Sequence, residues 1–127
     1  MLKKYNQIGI LLAVFLFLGA GCNSLPEETI HNTYNVQVTK SASYRDSHQV
    51  VEESEKIPLD QLMKKMDPEL GIQKRNGQDM IVKLDGVIAT ASKEWKLYIN
   101  NIQPEFTNLA DLTVHTSDQI EWRYEEK

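Results

Sequence analysis

One stretch of helical spacing, bracketed by two prolines, sets the limits on what this chain can fold into. Leu59, Leu62, Met63 and Met66 fall at i, i+3, i+4 and i+7, which puts all four on one stripe of a short helix. Pro58 suits the first turn, where its missing N–H costs nothing. Pro68 stops the helix, because the residue before a proline is pushed out of the helical region. A helix this short gains its stability by burying that stripe against something else, and the flanking sequence offers strands. Residues 33–40 alternate, with Tyr34, Val36 and Val38 on one side and Asn35, Gln37 and Thr39 on the other. Residues 41–47 read as a turn. Residues 48–56 read as a second strand through Val50 and Val51, completing a first hairpin.

Beyond the helix, Asn76-Gly77 is a hairpin turn between strands over 72–75 and 79–84, and Asp85-Gly86 marks another turn. Trp95, Leu97 and Ile99 alternate with Lys96, Tyr98 and Asn100. Asn100-Asn101 suits a tight turn in the left-handed conformation. Ile120, Trp122 and Tyr124 alternate with Glu121, Arg123 and Glu125 in a closing strand. Strands, one helix, then more strands predict an α+β fold, a β-grasp-like sheet of about five to six strands packed on one short helix.

The first 32 residues are predicted to lie outside that fold. Lys3 and Lys4 precede an uncharged run over 8–18 that is too short to span a bilayer, which calls for about 20 apolar residues. The pattern is that of a cleaved export signal. Leu18-Gly19-Ala20-Gly21-Cys22 resembles the bacterial lipobox, with the small Ala20 and Gly21 before the cysteine, although Leu stands one position earlier than is usual. The resemblance implies cleavage before Cys22, attachment of a diacylglycerol to its sulfur, and two acyl chains that hold the protein to the membrane. The expected organisation is a lipoprotein signal peptide over 1–21, a lipidated tether over 22–32 and one domain over 33–127. The domain is then lipid-anchored at the cell membrane and faces outside the cytoplasm.

Removing residues 1–21 from the 127-residue chain leaves 106 residues, and losing Lys3 and Lys4 moves the formal charge from −4 to −6. That length suits a single hydrophobic core. An acidic balance argues against a nucleic-acid partner. It also means that membrane attachment must come from the acyl chains, since there is no polybasic patch.

Trp95-Lys96-Leu97-Tyr98-Ile99-Asn100-Asn101, followed by Ser117-Asp118-Gln119-Ile120-Glu121-Trp122-Arg123-Tyr124, resembles the transcobalamin C-terminal-like domain family. That family runs a strand hairpin, a helix, an aspartate or glycine turn, a Trp-x-x-Tyr-x-Asn-Gly strand and a Gly-Asp-x-x-Glu-Trp-Arg-Tyr strand. The order fits from about residue 33 to residue 126. Asn101 and Ser117 stand where the family usually has glycine, and both are turn-compatible. Trp95 and Trp122 are accordingly expected in the core. The resemblance implies half of a ligand clamp that closes over a corrin ring, so capture calls for a second polypeptide or a one-sided site. The loop over 87–94 and the strand after it form the expected rim. Tyr98 and Asn100, opposite Trp95, are the candidate ligand-binding residues, set against the simpler reading as solvated strand positions, since exposed strand faces are normally polar without being sites.

No catalytic constellation is visible in the sequence. His31, His48 and His115 are isolated from one another and from the single cysteine, Cys22, so no local metal-ligand spacing exists. Asp111 and Asp118 near His115 lack the glycine-containing acidic loop of an EF-hand. A nucleophile elbow and a phosphate-binding glycine loop are also missing. The chain is therefore expected to be a non-enzymatic, lipid-anchored binding domain without a resident cofactor or metal. Its expected ligand is a small molecule such as a corrinoid. Alternatively it is an interaction module of the cell envelope, with an envelope protein or transporter as partner.

Overall fold

A computed structural model describes residues 31–127, so Cys22, the signal segment and nearly all of the tether lie outside the described residues. Among the described residues, nine strands and one α-helix follow one another: β1 (Asn32–Ser41), β2 (Tyr44–Glu52), β3 (Lys56–Pro58), α1 (Leu59–Met66), β4 (Gly71–Arg75), β5 (Gln78–Leu84), β6 (Val87–Ile88), β7 (Lys93–Ile99), β8 (Thr113–His115) and β9 (Ile120–Glu126). A 3-10 turn at Leu109–Asp111 precedes β8. The α+β class stands. The nine strands, however, divide into three sheets instead of the single sheet of five to six that the alternation predicts.

The main sheet has the order β2-β1-β9-β7. Its middle pair is parallel, with Val36 beside Ile120 and Val38 beside Trp122, while β2 and β7 run antiparallel on the flanks. A second sheet pairs β3 with β8, and a third takes the order β4-β5-β6.

Period-two spacing does what the sequence promised. Tyr34, Val36, Val38, Trp95, Leu97, Ile120 and Trp122 all point to one face of the main sheet and are buried. Leu59, Leu62 and Met63 of α1 pack onto that face with no exposed surface, and Met66 is half-buried against them. The Trp122 indole N–H donates to Met63 Sδ at 3.1 Å, which joins the sheet centre to the helix. At the helix start, Leu59 N donates to Leu112 O at 2.8 Å, so the loop before β8 supplies an acceptor for one of the first-turn donors. Leu109 and Val114, which no periodic pattern marks, fill the core beneath this loop.

Turn chemistry follows the sequence closely. Asn76-Gly77 and Asp85-Gly86 adopt φ values of 53° and 78°, and 49° and 79°, while Asn100 and Asn101 sit at 53° and 65°. Two positive φ angles in a row give the primed turn whose twist matches the flanking strands.

The first hairpin departs from expectation. Its turn is only Ala42-Ser43, and β2 begins at Tyr44 and stops at Glu52, before the separate β3. Asp46, His48, Val50 and Glu52 face inward along β2, and three polar residues in four inward positions hide the strand period. A register shift between Thr39 and Ser41 leaves Lys40 as a bulge residue. Among the described residues no helix is long and apolar enough to cross a membrane.

Candidate functional site

The edge of the main sheet at β7 opens onto a cleft of about 620 Å³. Trp95 and Leu97 form one wall, Met80 and Ile81 of β5 another, and Gln103 to Phe106 a third. Two ties hold that last wall in place: Asp79 N donates to Thr107 O at 2.8 Å, and Leu109 N donates to Asp79 Oδ2 at 2.9 Å. Trp95 is itself fixed, its indole N–H donating to Val87 O at 3.0 Å and its ring lying 5.1 Å from that of Tyr124.

Antiparallel pairing with β9 alternates the direction of the β7 peptide groups. The outward groups at the two ends of β7 are used: Thr90 N donates to Lys93 O at 2.9 Å, and Ile99 exchanges bonds with Ile102. Between them, the outward peptide groups of Trp95 and Leu97 have no backbone partner among the described residues. They face the cleft side of the edge. Glu94 and Glu105 make its rim acidic.

The rim expected over 87–94 lies at a neighbouring cleft of about 780 Å³, where Ile88, Ala89, Thr90 and Ala91 face Arg75, Val82 and Lys83. Glu94 lines both hollows. The wall over 103–106 carried no signal in the sequence, because Pro104 and Phe106 follow no period.

Tyr98 and Asn100 sit on the opposite side of β7 from this cleft, and both are engaged within the fold. The Tyr98 hydroxyl donates to Glu125 Oε2 at 3.0 Å, and the Arg123 guanidinium lies 3.8 Å from its ring centroid. Burial and then the Glu125 carboxylate push the phenol above its usual pKa. Arg123 Nε donates to Glu121 Oε1 at 2.6 Å, and Thr39 donates to Glu121 Oε2 at 2.8 Å, so the outer face of the sheet is one connected polar network. Asn100 is a turn residue. Its Nδ2 donates to Asp118 Oδ1 at 3.0 Å, and its Oδ1 accepts from Gln119 N at 2.9 Å. Asp118 also accepts from His115 N at 2.8 Å, which ties its carboxylate into the turn before β9.

A polar cluster that the sequence left scattered forms where β2 meets the β5–β6 turn. Asp46, His48 and Asp85 each place a donor atom within 4.8 Å of the others. Lys40 Nζ lies 3.0 Å from Asp85 Oδ2 and 3.3 Å from Asp46 Oδ2, and His48 Nε2 lies 3.4 Å from the same Asp85 oxygen. Desolvation pushes the Asp85 carboxyl up, but the hydrogen bonds and charge of its neighbours, Lys40 first, outweigh it and leave the pKa lowered. His48 reads as isolated in the sequence because Asp85 is 37 positions away.

No family model matches the sequence, and no curated protein does. Solved structures do. A candidate metal-binding protein from Ruminococcus gnavus superimposes with a TM-score of 0.62 at 13% identity, over 76% of this chain and 98% of that one. Haptocorrin in complex with Cbi superimposes with a TM-score of 0.53 at 15% identity, over 76% of this chain and 26% of the haptocorrin chain. At these identities the likeness speaks for the fold, and the fold this chain shares with both is transcobalamin-like.

Proposed function

We propose that this chain is a non-enzymatic, lipid-anchored extracytoplasmic binding domain. On this reading its β-grasp-like sheet offers the β7 cleft to a small molecule of the corrinoid class. The observation that carries the reading is the open peptide edge at Trp95 and Leu97 beside a cleft of about 620 Å³ walled by Phe106. Peptide groups without partners at the mouth of a partly apolar hollow are what a flat ligand rimmed by amides needs, since each unpaired donor or acceptor it meets adds orientation. The likeness to haptocorrin, solved with Cbi, supports that ligand class. The match takes in only 26% of the haptocorrin chain.

Absorption titration of the full chain in detergent with cobalamin and cobinamide tests this. The expected result is a saturable spectral change and retention of the corrinoid through gel filtration, both weakened by Phe106→Ala. No spectral change and no retained ligand at high micromolar concentration removes the corrinoid reading.

The same edge supports a second reading, a module that adds a partner's extended strand to β7. Outward peptide groups two residues apart are the start of a ladder. A photo-crosslinker placed at Glu94 separates the readings. Enrichment of one envelope protein, undiminished by excess corrinoid, favours strand addition.

A further inference from the structure

We propose that Asp46, His48 and Asp85 form a binding site for a divalent transition-metal cation, with the Lys40 ammonium as a built-in occupant that the metal displaces. An imidazole nitrogen and two carboxylates make a mixed nitrogen and oxygen donor set, suited to zinc, cobalt or manganese, with coordination positions left for water.

The geometry is set by rigid elements. Asp46 and His48 lie two residues apart on β2, facing inward opposite Val38 and Val36. Asp85 is presented by its turn at φ 49°, with its N–H held by Asp67 Oδ2 at 2.8 Å. Metal–ligand bonds of about 2.0–2.1 Å at a tetrahedral angle place neighbouring donors roughly 3.3 Å apart. His48 Nε2 and Asp85 Oδ2 already stand 3.4 Å apart, close enough for one ion to bridge them.

The Lys40 ammonium already fills the cation position between the two carboxylates. The bulge between Thr39 and Ser41 gives β1 one extra residue there, and its ammonium reaches in between the two carboxylates. It also has somewhere to go. Lys40 Nζ lies 5.1 Å from the ring centroid of the exposed Tyr44, so a small rotation of its flexible stem leaves the charge over an aromatic face while the carboxylates turn to the metal.

The test is calorimetric titration of the full chain in detergent micelles with zinc chloride in chelator-free buffer. A Cys22→Ser background removes the thiol of any unacylated copies, and cobalt absorption spectra run in parallel. One zinc per chain is expected. His48→Ala and Asp85→Asn should each weaken binding at least about tenfold, as loss of one of three ligands requires. Lys40→Met should tighten binding about tenfold by removing the competing charge, and His115→Ala should change nothing. Equal zinc affinity in wild type and His48→Ala overturns the proposal, as does absence of binding in both wild type and Lys40→Met. Thermal melts cover the case in which Lys40→Met is unstable: zinc must raise its melting temperature, and must fail to do so when His48→Ala is added.

Discussion

Asn100 separates a residue that shapes the chain from one that holds a ligand, and its two nearest replacements divide the cost. It sits at φ 53°, and its side chain bonds to Asp118 Oδ1 at 3.0 Å and to Gln119 N at 2.9 Å. Both bonds lie at the surface, where each contributes about 0.5–1 kcal/mol. Asn100→Gly keeps the backbone conformation and loses both bonds, for a cost of about 1–2 kcal/mol. Asn100→Ala loses the same bonds and places a Cβ in the left-handed region for a further cost of about 1–2 kcal/mol. Alanine also has less freedom than glycine when unfolded, which returns about 0.4–1 kcal/mol. The net expectation is that both variants are destabilised and that alanine lies below glycine by about 1 kcal/mol. Urea unfolding followed by the fluorescence of Trp95 and Trp122 measures this, with an unchanged slope in denaturant as evidence that only native-state stability has moved. Equal stability of the two variants refutes the strain argument. Wild-type stability in both, coupled with lost ligand binding, refutes the structural role and restores Asn100 as a contact residue.

Leu62→Ala empties a position with no exposed surface under the sheet and should cost about 2–5 kcal/mol, a fall in melting temperature of at least about 8 °C by scanning calorimetry. The Tyr34 hydroxyl donates to Ser54 O at 2.6 Å, and burial, then the charges of Glu52 and Glu55, raise its pKa above 10.0. Because the folded form holds that proton more tightly, its stabilisation is complete below pH 10.0 and is lost as pH climbs through the raised value. Melting temperature against pH should therefore fall in the alkaline limb, and Tyr34→Phe should flatten that fall, leaving the part due to Tyr98 and Lys40. Cys22→Ala should abolish labelling by a palmitate analogue and release the chain from membranes, and undiminished labelling overturns the lipid anchor.

Legibility tracked burial. Where one face of a strand is wholly apolar, as with Tyr34, Val36 and Val38 or Ile120 and Trp122, the period in the sequence is the period in the fold. Asn-Gly, Asp-Gly and Asn-Asn turns were legible for the same reason, since few residues tolerate two positive φ angles. The inward face of β2 was not legible, because Asp46, His48 and Glu52 meet other polar groups there instead of core. Short strands such as β3 and β8 each bury one apolar residue, Ile57 and Val114, and one residue cannot show a period. The β7 cleft was half legible. Trp95 and Leu97 are plain in the alternation, but the opposing wall at Phe106 is placed by long-range bonds such as that from Leu109 N to Asp79, which leave no local mark.

The parallel pairing of β1 with β9 makes the first strand wait for the last. Thr39 and Glu121 meet across 82 positions, and β9 lies between β1 and β7 as an interior strand made of the final residues of this sequence. During synthesis β1 with β2, and β4 with β5 and β6, can emerge as hairpins, yet the main sheet stays open down its middle until residues 120–126 arrive. Loss of residues 120–126 would split the sheet into two separated pieces, exposing Val36, Val38 and Leu97 together. Arrival of residues 120–126 and closure of the core are thus one event, so a copy made only up to β8 has an unfinished core.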